Sequence, residues 1–111
     1  MQDGVTVVTF GPEYKTITDD CLPAATDTLL SAAGAEIPRM VIDLEKTEFF
    51  GSSFIEVLFR VWKRLNHRGG RFSLCHVSPY CLEVLKITHL DTLWPIRKTI
   101  PEAIEAAQAS V

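Results

Sequence analysis

MVIDLEKTEFFGSSFIEVLFRVWKRLNHRGGRFSLCHV, residues 40–77, sets two short apolar runs on either side of a polar loop and a long amphipathic segment. Met40 to Leu44 and Phe72 to Val77 are brief, apolar and bounded by turn residues, which predicts buried strands. Between them a helix is predicted from about Ser53 to His67. At 100° per residue, Phe54, Ile55, Val57, Leu58, Phe59, Val61, Trp62 and Leu65 cover about half its circumference. Glu56, Arg60, Lys63, Arg64 and His67 occupy the other arc. Gly69 and Gly70 end the helix, because glycine takes left-handed backbone angles without a Cβ clash. Strand, helix and strand joined this closely make a βαβ unit, whose strands are parallel and whose crossover is right-handed.

Outward from that unit the pattern continues. Val5 to Phe10 is a β-rich run stopped by Gly11 and Pro12. A helix is predicted over Asp20 to Ala33, capped by Thr18 or Asp19, with Leu22, Ala25, Leu29 and Ala32/Ala33 inward and Gly34 as its stop. Beyond the central unit, Ser78 caps a helix that begins at Pro79 and runs to about Ile87. Leu93 to Ile96 is short and extended. A last helix, Glu102 to Ala109, opens at Pro101 with Thr99 or Ile100 as its cap. No repeat, low-complexity tract or linker divides the chain, so residues 1–111 are expected to form a single α/β domain with helices packed on a small sheet.

The composition excludes several classes. At 111 residues, 47% apolar and 23% charged, the chain has the make-up of an ordinary globular domain rather than a disordered or membrane-spanning one. Charged residues break every apolar stretch, so no membrane span is expected, and the N-terminus has no export-signal pattern. A cytoplasmic location follows as an expectation. The net charge of −3 disfavours direct nucleic-acid binding. Lys63, Arg64, His67, Arg68 and Arg71 form a local basic group without aromatic interleaving, which reads as the wet side of a helix. Cys21, Cys75 and Cys81 read as buried thiols of a reducing compartment. Cys75, His76 and Cys81 match no standard zinc spacing, so neither metal nor cofactor is expected.

Gly51-Ser52-Ser53 lies beyond a strand and at the mouth of a helix, where α/β sheets gather binding groups. Ser53 with Glu56 three residues on fits a capping box. Ser52, one residue earlier, is expected to face solvent near the positive end of the helix dipole. A phosphate there is favoured by free N–H groups and the dipole, and it sets charge beside an apolar surface. The edge residues Phe54, Val57 and Val61 are either a partner surface or covered by neighbouring helices. A nucleophilic role fits poorly. The G-x-S-x-G arrangement is missing, Phe54 stands where the backbone has to turn, and no acid orients His67, His76 or His89 at a recognisable spacing. The chain is not expected to be an enzyme.

Together, Val41-Ile42-Asp43-Leu44, Ser52-Ser53, Gly69-Gly70, Val77-Ser78-Pro79 and Leu90…Leu93-Trp94-Pro95-Ile96 resemble the STAS domain of bacterial anti-anti-sigma factors. The match runs in one order over about residues 40 to 106. The resemblance implies a small mixed β-sheet of four to five strands packed by about four helices. It also implies an anti-sigma factor antagonist that regulates transcription by binding an anti-sigma factor, itself a serine kinase of the histidine-kinase-like ATPase type. The family's phosphorylated serine falls on Ser52, with Ser53 as second candidate. The partner surface is then expected at Gly51, Ser52, Ser53, Phe54, Val57 and Val61. Gly51 stands in the place of the family's aspartate and Phe54 in that of a glycine, which puts a large side chain where a kinase approaches. The alternative is a STAS interaction module that is never phosphorylated, in a signalling or lipid-transport assembly.

Overall fold

The computed structural model describes residues 5–11, 14–17, 22–34 and 39–108. In chain order it contains β1 (Thr6–Thr9), β2 (Thr16–Ile17), α1 (Leu22–Ala33), β3 (Arg39–Asp43), β4 (Phe49–Phe50), α2 (Ser52–His67), β5 (Arg71–Cys75), α3 (Pro79–Ile87), β6 (Ile96–Arg97) and α4 (Ile100–Gln108). A 3₁₀ turn, Leu90–Thr92, is followed by a turn and bend at Leu93 and Trp94, so of the stretch expected to be extended, Leu93 to Ile96, only Ile96 enters a strand. The proposed caps Thr18 and Asp19, and Cys21, lie outside the described residues.

The main sheet has the order β1-β3-β5-β6 and a second, two-stranded sheet pairs β2 with β4. Every ladder among the described residues is parallel, including β3 with β5 on either side of α2. Strand residues alternate between faces, and both faces are covered, which is why these strands read as continuous apolar runs. Met40, Ile42, Phe72 and Leu74 point into the larger core with Ala25, Leu29 and Ala33 of α1, Phe54, Leu58 and Leu65 of α2, and Leu85 of α3. Val41 and Cys75 point the other way, against Ala103, Ile104 and Ala107 of α4.

Local chemistry fixes the helix ends. At the end of α2, the Gly70 amide donates to the Leu65 carbonyl (2.7 Å) and the Gly69 amide to Asn66 (3.1 Å), with Gly69 at φ 73°. This is a Schellman closure, which needs a left-handed residue where Gly69 stands. Arg68 of the basic group reaches across to the Ala33 carbonyl at the end of α1 (2.7 Å). Ser78 caps α3 as expected, accepting from the Cys81 amide with Pro79 in the first turn. Thr99 Oγ1 accepts from the Glu102 amide (3.3 Å), which caps α4, and its hydroxyl donates to the Glu102 carboxylate (3.0 Å).

Candidate functional site

The loop from Glu45 to Gly51 is held from both sides before it delivers Ser52. Ladder pairs Thr16–Phe49 and Ile17–Phe50 align it with β2. The Glu48 amide donates to Lys15 (2.8 Å), the Gly51 amide to Ile17 (3.3 Å), and Thr47 Oγ1 to Tyr14 (2.9 Å). On the other side Ser78 Oγ donates to the Glu48 carbonyl (2.8 Å), so the residue that caps α3 also ties down this loop. The Lys15–Glu48 ion pair (3.3 Å) is exposed and adds little.

Gly51 is the N-cap of α2, with φ −92° and ψ 178°, and no side chain caps the helix. Its carbonyl accepts from the amides of Phe54 (3.1 Å) and Ile55 (3.4 Å). The amides of Ser52 and Ser53 are left without intrahelical partners at the positive tip. Ser52 is exposed and Ser53 half-buried. The expected capping box of Ser53 and Glu56 does not form. The extended backbone at Gly51 starts the helix early, which makes Ser53 the second helical residue rather than the cap.

Of the two readings for the α2 edge, the covered one holds. Phe54 and Val61 are fully buried and Val57 is 4% exposed. α2 packs on α1 as well as on the sheet, so the Phe54, Val57 and Val61 edge of its apolar stripe is taken up inside the chain, while Ile55, Phe59 and Trp62 are partly buried. Phe54, Val57 and Val61 are therefore corrected from partner surface to core. Phe54 also leaves the approach to Ser52 clear, since its ring turns inward against Phe50 (5.2 Å) and Phe10 (6.2 Å). An apolar surface next to the loop that the sequence did not reveal is Tyr80, 54% exposed, with its ring 5.1 Å from that of Phe49, three residues before Ser52. The signal was faint: one tyrosine on a helix and one aromatic in a loop, 31 positions apart in sequence.

Cys75 and Cys81 are buried free thiols, as expected. Burial pushes Cys75 up to about 12, helped by the adjacent Asp43 charge and hydrogen bond and by Glu45. Burial also raises Cys81, against the opposing pull of hydrogen bonds from Ser78 and the Phe50 backbone. Neither thiol is an activated nucleophile. No helix among the described residues is long and apolar enough to cross a membrane.

Residues 2–103 match the model of the STAS domain. An anti-sigma F factor antagonist of Paenibacillus polymyxa is 27% identical over 93 residues, covering 84% of this chain and 78% of the relative. The solved structure of an anti-sigma-factor antagonist (STAS) domain protein from Planctomyces limnophilus superposes with a TM-score of 0.83 and 45% identity, covering 94% of this chain and 90% of that one. An anti-sigma factor antagonist from Mycobacterium paratuberculosis gives a TM-score of 0.83 at 27% identity, covering 98% and 90% respectively. The parallel sheet and its helices thus go with a family match over residues 2–103, and the chain belongs to the STAS domain family.

Proposed function

We propose that the protein is an anti-sigma factor antagonist that captures a kinase-type anti-sigma factor and is switched by phosphorylation of Ser52. The observation that carries the reading is the exposed Ser52 hydroxyl at the first position of α2, beside two amides that no intrahelical carbonyl takes. Its resemblance to antagonists by name supports the partner class. In the transfer, Ser52 Oγ bonds to the γ-phosphorus of ATP, the bond to the ADP oxygen breaks, and the hydroxyl proton passes to a base of the kinase. The phosphate then sits where the helix tip favours an anion.

Docking involves the Gly51-Ser52-Ser53 tip and the adjoining Phe49–Tyr80 ring pair, now that Phe54, Val57 and Val61 belong to the core. Close to two negative charges at the centre of a desolvated contact repel the partner. Incubation with the cognate kinase and ATP adds the mass of one phosphate to the native chain, and Ser52→Ala abolishes it. Uptake by Ser52→Ala equal to that of the native chain overturns the assignment and moves it to Ser53 or elsewhere.

A second reading, a constitutive STAS module, draws on Gly51. A Cβ built there meets nothing within 4 Å, so packing does not require glycine in place of the family's aspartate. Under that reading the same incubation leaves the mass unchanged while the partner still binds.

A further inference from the structure

We propose that Asp43, Cys75 and His76, closed by Glu45, form a binding site for a divalent cation of the zinc class. Asp43 and Cys75 are register partners at the C-terminal ends of β3 and β5, so their side chains leave the sheet side by side on the α4 face. The next residue, His76, takes a left-handed backbone (φ 55°). Its ring returns over them, with Nδ1 2.9 Å from Asp43 Oδ1 and 3.5 Å from Glu45 Oε2. One donor atom each from Asp43, Cys75 and His76 lies within 4.8 Å of the others.

Four-coordinate zinc holds such donors at about 2.0–2.3 Å, which places them about 3.5 Å apart. Small side-chain rotations close the difference. The mixed sulfur, nitrogen and oxygen set suits zinc rather than magnesium or calcium, which prefer oxygen alone. The carboxylate is already oriented by an outer layer: the Glu45 amide donates to Oδ1 (3.1 Å) and Thr9 Oγ1 to Oδ2 (3.3 Å). Entry is open on one flank, where the side chains of His76 and Glu45 are 28% and 56% exposed while that of Asp43 is 4% exposed.

On binding, the Cys75 thiol proton leaves to solvent. His76 binds the cation through Nδ1 as the neutral imidazole that carries its proton on Nε2. The site escapes sequence spacing rules because a ligand 33 positions from His76 is supplied by strand register. Cys81 is elsewhere, donating to the Glu48 carbonyl under α3.

The test is titration of the reduced, chelator-treated full chain with Co²⁺. The expected result is a near-ultraviolet thiolate-to-cobalt charge-transfer band that saturates at a single equivalent and is bleached by Zn²⁺. Cys75→Ala and His76→Ala lose it, Cys21→Ser and Cys81→Ser keep it, and Thr9→Val weakens binding about 10–100-fold. The partly exposed His76 carries the test should Cys75→Ala fail to fold. No band at several equivalents, or a band that survives either Cys75→Ala or His76→Ala, overturns the proposal.

Discussion

Gly51 occupies a position where any residue fits: its backbone angles are extended, and nothing lies within 4 Å of an added Cβ. It is also an N-cap without a capping side chain. Gly51→Asp supplies an acceptor for the free amide at Ser53 and a negative charge at the helix tip. It is expected to raise unfolding stability in urea by a few tenths to about 1 kcal/mol. A loss of stability would mean that the tip amides are not available as drawn. Cys81 gives a pH signature of fixed sign. Its folded value lies above 9.0, so above that pH the unfolded chain sheds the thiol proton while the folded chain retains it. Stability therefore falls as pH rises past 9.0, and Cys75 adds in the same direction up to about 12. In metal-free protein the urea midpoint declines above this point, and it declines less steeply in Cys81→Ala.

At the scale of elements, one capping signature occurs twice with different outcomes. In Thr99-Ile100-Pro101-Glu102 the threonine hydroxyl caps its helix, whereas in Ser53-Phe54-Ile55-Glu56 the serine does not, because α2 has already started at Ser52. Thr99→Ala is expected to cost about 1 kcal/mol in thermal or urea unfolding, and Ser53→Ala less than about half of that. Equal losses would place the α2 cap at Ser53 after all. The long, periodic elements were legible from spacing: α2, the strand on either side of it and the Ser78-Pro79 start of α3 all lie within two residues of expectation. β2 and β4 were not, since a two-residue parallel ladder is fixed by the tertiary contact of the Lys15 and Glu48 segments and leaves no alternation to read. The width of the α2 stripe was legible, but which of its two uses applied, partner surface or cover by neighbouring helices, was not. Sequence shows that a residue is apolar, while only packing shows that α1 covers it.

Across the whole molecule, a parallel sheet between two helical layers separates two sets of chemistry. α2 and its serine lie on one face, and the Asp43–Cys75–His76 cluster lies on the other, at the carboxyl edge of the central strands. The family was legible because its motifs follow one another along the chain. The serine loop was legible with it, and Ser52 is exposed as that reading requires. The metal-type cluster and the Phe49–Tyr80 pair were hidden because strand register and loop anchoring join residues distant in sequence. What unites loop, helix tip and partner is the claim that one phosphate on Ser52 decides capture. The most direct measurement is the affinity of the chain for the kinase-type anti-sigma factor proposed as its partner, before and after stoichiometric phosphorylation. A like-charge penalty of a few kcal/mol predicts roughly a hundredfold weaker binding after modification, with Ser52→Asp weakened in the same direction. Equal affinity for the two forms would contradict the account.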